Sequence, residues 1–311
     1  MIEADSLSKQ FGKTLAVDDL SFTVQSGRVT GFLGPNGAGK STTMRMILGL
    51  DSPTSGRVLI DGQLYRDIRH PLRKVGALLD AKWVHPNRSA RAHLRWLAKS
   101  NNIPDARVDE VLDEVGLTSV AGKAAGGFSL GMSQRLGIAG ALLGDPEVLM
   151  FDEPVNGLDP EGILWIRQFM HRLADEGRTV FVSSHLLSEM ALTARELVVI
   201  GRGTLISQSS TDDFVTKATT STVRVKSPQA GQLRGELQGR GAKVLTEDDT
   251  LIVSDMDSAE IGAVAAGLGL VLHELSPQRG SLEEAFMHLT GDSVEFHTTT
   301  TPALATHGVN P

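Results

Sequence analysis

The sequence predicts an α/β fold followed by a smaller α+β domain, and three observations support this prediction. Residues 34–42 form a glycine-rich pattern between a predicted strand and a predicted helix. Residues 148–151 form an apolar strand that ends in two carboxylates. Because this strand has no polar alternation, we expect it to be buried on both faces, as in a parallel sheet. Beyond about residue 215, short strands and helices follow one another in a different order.

The glycine-rich segment fits the pattern G-x-x-x-x-G-K-[ST], the phosphate-binding P-loop. Residues 28–33 are typical of a buried strand and residues 41–48 of a helix, which argues against an ordinary glycine-rich turn. At such a helix N-terminus, backbone N–H groups converge on phosphate oxygens. Lys40 would reach the β- and γ-phosphates, and Ser41 would ligate Mg²⁺. The predicted binding residues are Gly34, Asn36, Gly37, Ala38, Gly39, Lys40, Ser41 and Thr42.

The composition excludes several classes of protein. With 41% hydrophobic and 22% charged residues, the chain is typical of globular proteins, and 311 residues favour two domains. The absence of cysteine excludes disulfides and thiolate metal sites. No apolar run approaches ~18 residues and no signal peptide is evident, so we expect a membrane role only through a partner. The net charge of −7 indicates no nucleic-acid partner, although it is compatible with a local basic patch.

The first two thirds of the chain alternate between strands and helices. Apolar runs bounded by turns predict strands at residues 2–4, 17–24, 57–60, 75–79 and 179–184. Apolar periodicity predicts helices at residues 89–100, 107–115 and 160–176, and from near Ser133 to Leu143. The strands that lead to Lys40, to Asp152 and Glu153, and to His185 would end at one edge of the sheet. Because α/β sheets bind ligands there, we expect a single site.

The last third of the chain predicts a β-α-β-β-α-β order, which is the ferredoxin-like arrangement. After a linker at residues 216–222, the predicted elements are a strand at 223–226, a helix at 232–239, a hairpin of 243–245 with 251–253, a helix at 259–268 and a strand at 270–275. A final helix at 281–289 begins with a capping box of Ser281 and Glu284. Thr-rich residues 291–311 predict a disordered tail. The predicted domains are therefore residues 1–215 and 216–290.

Taken together, the motifs resemble those of the nucleotide-binding subunit of an ABC transporter, over residues 1 to about 210. The matching segments are Walker A at Lys40-Ser41, Walker B at 148–153, the signature region at 128–135 (FSLGMSQR), the D-loop at 156–159 and the H-loop at Ser184-His185. The resemblance implies a P-loop NTPase fold of the ABC type with a helical subdomain at about 81–145. It also implies ATP and Mg²⁺ as cofactors.

The resemblance assigns roles to individual residues of the site. Asp152 would hold Mg²⁺ through water, and Glu153 would polarise the attacking water as the base. His185 would contact the γ-phosphate, next to Lys40. Together Lys40, Glu153 and His185 are the candidate catalytic residues.

Further roles depend on a second subunit. Ser129 and Gly131 would reach the ATP bound on the opposite protomer, so the site is complete only in a head-to-tail dimer, which we expect to be a homodimer. By its position Phe11 would stack on adenine, whereas the chain pattern by itself favours a core role for this side chain.

The sequence departs from the family pattern at three positions. Leu130 and Met132 replace a glycine and the glutamine of the usual signature. Asp80 stands where the family usually carries the Q-loop glutamine, and a carboxylate only accepts hydrogen bonds. We therefore keep Asp80 as a candidate metal ligand.

These departures, with a C-terminal domain that ends in residues 281–286 (SLEEAF), resemble the drug and antibiotic export branch, of the ABC-2, daunorubicin-resistance-like type. In that branch the ATPase is encoded apart from its membrane permease. The resemblance implies a peripheral protein at the cytoplasmic face of the membrane, with the permease docked near residues 80–91.

Three other functions stay open at this point. A soluble ABC ATPase that acts on ribosomes or DNA commonly carries two cassettes, and only one Walker A pattern occurs here. A nucleotide-gated binding module without turnover would not need an intact Lys40, Asp152 and Glu153. A P-loop kinase would not need the segment at residues 128–135.

Overall fold

The computed structural model describes residues 1–80, 84–218, 222–278 and 280–290. The predicted tail at residues 291–311 lies outside the described residues. The strands are β1 (Ile2–Phe11), β2 (Thr14–Val24), β3 (Arg28–Leu33), β4 (Ser55–Ile60), β5 (Val75–Leu78), β6 (Val148–Asp152), β7 (Thr179–Ser184), β8 (Glu196–Gly201), β9 (Thr204–Ser210), β10 (Thr222–Lys226), β11 (Lys243–Glu247), β12 (Thr250–Ser254) and β13 (Glu274–Gln278). The α-helices are α1 (Lys40–Ile47), α2 (Pro71–Lys74), α3 (Ala90–Ser100), α4 (Ala106–Glu114), α5 (Leu130–Leu142), α6 (Pro160–Asp175), α7 (Leu187–Thr193), α8 (Thr211–Ala218), α9 (Ala230–Gly239), α10 (Ser258–Gly267) and α11 (Leu282–Thr290).

A six-stranded sheet with the order β5-β6-β7-β3-β8-β9 forms the centre of the first part of the chain. The pairs β5-β6, β6-β7, β7-β3 and β3-β8 are parallel, and β9 adds an antiparallel edge. The apolar side chains of β6 and β7 are buried, as the unbroken apolar runs predict. Strands β8 and β9 were not predicted from the sequence.

A second sheet with the order β2-β1-β4 is antiparallel and packs on the central sheet through three phenylalanines. The ring of Phe22 lies 5.7 Å from that of Phe32 and 5.8 Å from that of Phe181. Strands β1 and β2 are longer than predicted because β1 pairs along both of its edges, with β2 and with β4. Pairing with both neighbours holds the more polar half of β1 in the sheet.

Helices α3, α4 and α5 form the predicted helical insertion, and α5 packs on β5. Gly76 of β5 faces the carbonyl oxygen of Ala141 in α5. The predicted start of α5 near Ser133 was wrong: the helix begins at Leu130. Its N-cap is Ser129, whose Oγ accepts the N–H of Met132 at 3.2 Å. The signature residues are therefore the first turn of a helix and not a loop.

A third sheet with the order β11-β12-β10-β13 is antiparallel, and α9 and α10 share its hydrophobic cluster. The element order is the predicted β-α-β-β-α-β. The last strand was placed wrongly at residues 270–275, because Leu270 and Leu272 pack against the cluster as irregular chain while the strand begins at Glu274. This strand contains Pro277, which is tolerated because the strand lies at the sheet edge.

The last helix that the structure describes packs on the hydrophobic core of the first part of the chain. The capping box of Ser281 and Glu284 is confirmed by backbone N–H contacts in both directions, of 3.0 and 3.1 Å. Helix α11 packs against α8 and α7, and its Phe286 joins the same cluster as Phe214 of α8. The predicted linker was wrong at residues 216–218, because they belong to α8. The boundaries of the two domains stay predictions.

None of the helices within the described ranges is both long and apolar enough to cross a membrane.

Replacing Gly76 with alanine tests the packing of α5 on the sheet. A Cβ at this position would overlap the carbonyl oxygen of Ala141. We expect the free energy of unfolding to fall by about 2 kcal/mol, the typical cost of overpacking. The matched control is Gly235→Ala, where a Cβ meets nothing within 4 Å. Denaturant titration of both variants provides the measurement, and equal stability of the two would contradict the described contact.

Candidate functional site

The loop between β3 and α1 has a backbone that only glycine accommodates. Gly37 and Gly39 have φ values of 82° and 100°. A Cβ on Gly39 would lie 2.5 Å from the carbonyl oxygen of Ala16 in β2. The loop therefore curls closely against β2 before α1 begins, and free N–H groups collect at the N-terminus of this helix. This geometry suits a phosphate group.

Lys40 is the first residue of α1, and its side chain is buried within the loop. Its Nζ donates to the carbonyl oxygens of Gly34 at 2.6 Å and Pro35 at 3.3 Å. The Oε1 of Glu153 lies 4.0 Å away. Burial lowers the pKa of Lys40, whereas the charges of Glu153 and Asp152 act in the opposite direction. The ammonium is thus fixed between the loop and the Glu153 carboxylate at the end of β6.

A chain of hydrogen bonds joins the ends of three elements. Ser41 of α1 donates through Oγ to Oδ2 of Asp152 at 2.8 Å. Ser183 of β7 donates to the other carboxylate oxygen, Oδ1, and accepts the backbone N–H of Glu153 at 3.0 Å. Ser183 was not predicted as a site residue. The sequence shows only a serine near the end of an apolar strand; the structure shows that its hydroxyl is fully buried and so needs a polar partner.

The carboxylate of Glu153 is held by His185 at the end of β7. The Oε2 atom accepts the backbone N–H of His185 at 3.3 Å and lies 2.8 Å from Nδ1 of its ring. The backbone of Glu153 has a φ of 49°, the left-handed region that non-glycine residues rarely adopt. Backbone strain of this kind concentrates at functional sites. The structure therefore brings together Lys40, Ser41, Asp152, Glu153 and His185, as the strand ends predicted.

The signature residues lie apart from this cluster. Within the part of the chain that the structure describes, no hydrogen bond or ion pair joins Ser129 or Gly131 to Lys40 or Ser41. Gly131 lies instead beside the D-loop, since it faces a methyl group of Leu158. In the described chain, the first turn of α5 thus shares no hydrogen bond or ion pair with these two P-loop residues.

Phe11 and Asp80 are exposed residues at the ends of two strands, β1 and β5. Phe11 ends β1, is 49% exposed and lies in the β1-β2 hairpin, whose Ala16 contacts the P-loop. The Nζ of Lys9 lies 4.8 Å from the centre of its ring. Asp80 follows β5, is exposed and lines a cavity between β5 and helices α3 and α5. The described residues contain no group of three or more His, Asp or Glu side chains that could hold a metal ion.

Comparison with known proteins agrees with this geometry. Residues 17–156 match the family model described as ABC transporter, and residues 221–283 match a domain of unknown function (DUF8746). YhcH of Bacillus subtilis, described as an uncharacterized ABC transporter ATP-binding protein, is 36% identical over 307 residues, which cover 95% of this chain and 97% of YhcH.

Two further known proteins are similar to this chain over most of their own length. The bacitracin transport ATP-binding protein BcrA of Enterococcus faecalis is 35% identical over 297 residues, which cover 94% of this chain and 96% of BcrA. A solved structure of the ATP-binding subunit of an ABC transporter has a TM-score of 0.64 and 27% identity, and the match covers 70% of this chain and 92% of that chain. The chain belongs to the family of ABC transporter ATP-binding proteins, and it is an ABC ATPase.

Proposed function

We propose that this protein is the ATP-hydrolysing, energy-coupling subunit of an ABC export system for drugs or antibiotics. The observation that carries the ATPase part is the Glu153 carboxylate, which His185 holds beside Lys40 of the P-loop. Support for the export part is the similarity over most of the chain to BcrA, which is named for bacitracin transport. Action on ribosomes or DNA is not favoured, because the chain carries a single Walker A pattern and these relatives are transport proteins.

ATP would bind with its phosphates in the P-loop. The N–H groups of residues 36–42 would donate to the phosphate oxygens, and these oxygens would replace the carbonyl groups of Gly34 and Pro35 as acceptors for the Lys40 ammonium. Ser41 and Asp152 would hold Mg²⁺, because hydroxyl and carboxylate oxygens suit this ion and phosphate oxygens usually complete its ligands. The ion neutralises charge on the phosphates when it is bound. Phe11 would stack on the adenine ring. Asp80 is a further candidate for a ligand of Mg²⁺.

Glu153 would act as the general base for the attacking water. Its backbone is fixed by Ser183 and its carboxylate by His185, so the base is oriented before ATP arrives. Proton transfer by a positioned carboxylate is an ordinary contribution to such catalysis. His185 would also contact the γ-phosphate.

A second copy of the chain would complete each site. Ser129 is the N-cap of α5 and Gly131 lies in its first turn. In the described chain neither forms a hydrogen bond with Lys40 or Ser41, so their N–H groups would be available to a phosphate held by another protomer. A head-to-tail homodimer satisfies this requirement twice, with one ATP at each of two equivalent sites. We therefore assign the signature residues to the partner's nucleotide.

The membrane permease, which we propose is of the ABC-2 type, would dock in the cavity beside Asp80. This cavity has a volume of about 300 Å³. We call it the docking groove; among its lining residues are Leu50, Tyr65, Leu79, His93, Leu97 and Leu136. Burial, with a smaller contribution from Arg88, lowers the pKa of His93, which favours the neutral form of this side chain in the groove. An apolar groove of this kind accepts the apolar face of a helix. Docking there would place the protein at the cytoplasmic face of the membrane.

Replacing Glu153 with glutamine tests the base and the shared site together. We expect ATP binding to persist and hydrolysis to slow by roughly 10² to 10⁴-fold, because an amide cannot accept the proton. The variant should then elute from gel filtration with Mg²⁺-ATP as a dimer, whereas the wild type elutes mainly as a monomer. Light scattering on the column gives the mass.

A second change separates the two parts of this prediction. Adding Ser129→Arg to Glu153→Gln places a long cation at the interface, so we expect a monomer even with Mg²⁺-ATP. Wild-type turnover by Glu153→Gln would contradict the base assignment. A Glu153→Gln variant that stays monomeric with saturating ATP would contradict the shared site.

Replacing Leu50 with glutamate tests the docking groove. Leu50 is 51% exposed at the groove, and a carboxylate there would have to be buried against the permease. We expect co-purification of the co-expressed permease to fall at least fivefold, while the ATPase activity of the isolated chain is unchanged. The control is Leu245→Glu, which changes a leucine that is 68% exposed in the third sheet. Equal capture by both variants would exclude the groove as the docking site.

A further inference from the structure

A cluster of exposed cations lies beside the docking groove, although the whole chain has a net charge of −7. Helix α3 buries Ala90, Leu94 and Ala98 on one side. Positions 95, 96 and 99 lie on another side, because residues three and four apart share a helix face. The residues before α2 extend this surface at the C-terminal end of α3. We name it the basic face and define it by six residues: Arg69, Arg73, Arg88, Arg95, Trp96 and Lys99.

Most of the charge on the basic face is not neutralised. Arg69 and Lys99 are exposed, and within the described ranges neither has a carboxylate oxygen within 4.0 Å. Arg73 donates only to the carbonyl oxygen of Asn102, at 3.0 Å. Arg95 is the one partly compensated, because its Nε lies 3.8 Å from Asp105. The face therefore carries a net positive charge toward solvent.

Two acidic residues near the basic face do not change the sign of its net charge. Asp67 lies 3.9 Å from Arg66, so these two neighbours compensate each other. Asp109 pairs with Arg91, near the start of α3. Neither carboxylate forms an ion pair with Arg69, Arg73 or Lys99 in the described structure, and both are already engaged with other arginines.

An aromatic ring is held at the centre of the basic face. Trp96 is 53% exposed, and the guanidinium of Arg88 lies 5.0 Å from the centre of its ring. Tryptophan favours the interface between a bilayer and water, because it combines an apolar body with a polar N–H group. Exposed cations together with tryptophan are typical of helices that lie on anionic membranes.

A small polar cavity opens at the C-terminal end of α3, within the same surface. Its volume is about 140 Å³. Its lining residues include Arg69, His70, Arg73, Ser100 and Asn101. The hydroxyl of Ser100 and one N–H of Asn101 already donate to carbonyl oxygens of α3. The donors for a ligand are therefore the guanidinium groups of Arg69 and Arg73, which bind phosphate oxygens. The cavity thus offers a place for the phosphate of one lipid headgroup.

The basic face and the docking groove share helix α3. His93 and Leu97 line the groove, whereas Lys99 and Arg95 lie on the basic face, and Leu72 lines both the groove and the small cavity. If a permease occupies the groove, the adjoining surface lies next to the bilayer. We propose that the basic face rests directly on the anionic lipid headgroups of the membrane, beside the permease. This inference rests on the docking proposed above.

The test is flotation of the purified full-length chain with lipid vesicles at low salt. We expect binding to vesicles that contain phosphatidylglycerol and none to pure phosphatidylcholine. The variant carrying Arg69→Glu and Lys99→Glu should bind roughly thirtyfold more weakly, at about fivefold for each cation. Its control carries Lys217→Glu and Arg234→Glu, which change exposed cations elsewhere and give the same net charge.

The outcomes separate this inference from the proposed function. Each variant is assayed for ATP hydrolysis in solution, and we expect wild-type rates because none of these residues belongs to the nucleotide site. If the first variant does not fold, Arg69→Gln with Lys99→Gln replaces it. Equal vesicle binding by the basic-face variant and its control would overturn the proposed lipid contact. So would a wild-type chain that does not bind anionic vesicles. Equal permease capture by Leu50→Glu and Leu245→Glu would instead count against the proposed docking and leave the vesicle result standing.

Discussion

The parallel pairing of β6 and β3 with β7 is the constraint on which the site depends. This pairing places Asp152 opposite Ser183 and Leu33 opposite Ser184, so the P-loop, both carboxylates and His185 leave the sheet at one edge. Hydrophobic clusters cover both faces of these strands, and the polar side chains of β6 and β7 lie only at the strand ends, whereas β3 also carries Thr30 in its middle. A buried hydroxyl such as that of Ser183 must find a partner, and the available partners are the groups of the site.

Two residues of the site have a left-handed backbone, a conformation that eight other non-glycine residues of the described chain adopt elsewhere. Gly39 and Glu153 both have left-handed backbones, one in the loop and one after β6. For a residue other than glycine this conformation costs roughly 1–2 kcal/mol, and contacts with Ser183 and His185 offset the cost at Glu153. The result is a carboxylate with a defined direction before any nucleotide is present.

The sequence predicted the parts of the site that depend on local patterns. The P-loop between a strand and a helix, and the apolar strand that ends in Asp152, are recognisable from neighbouring residues alone. Ser183 could not be assigned in the same way, because its role depends on a strand pairing across 31 residues. The start of α5 was wrong because Ser129 can cap a helix as well as continue a loop, and only the contact with Met132 decides between them. Helix α8 was missed because its side chains pack mainly against α11, far along the sequence.

The central claim is that Lys40, held between the P-loop and the Glu153 carboxylate, binds the phosphates of ATP. Titration of a fluorescent ATP analogue into purified Lys40→Ala tests it most directly, with Lys123→Ala as the control because Lys123 is exposed in the helical subdomain. The account predicts saturable binding for the wild type and the control, and no binding by Lys40→Ala across the micromolar to millimolar range. Unchanged affinity of the Lys40→Ala variant, with the variant folded, would contradict the account.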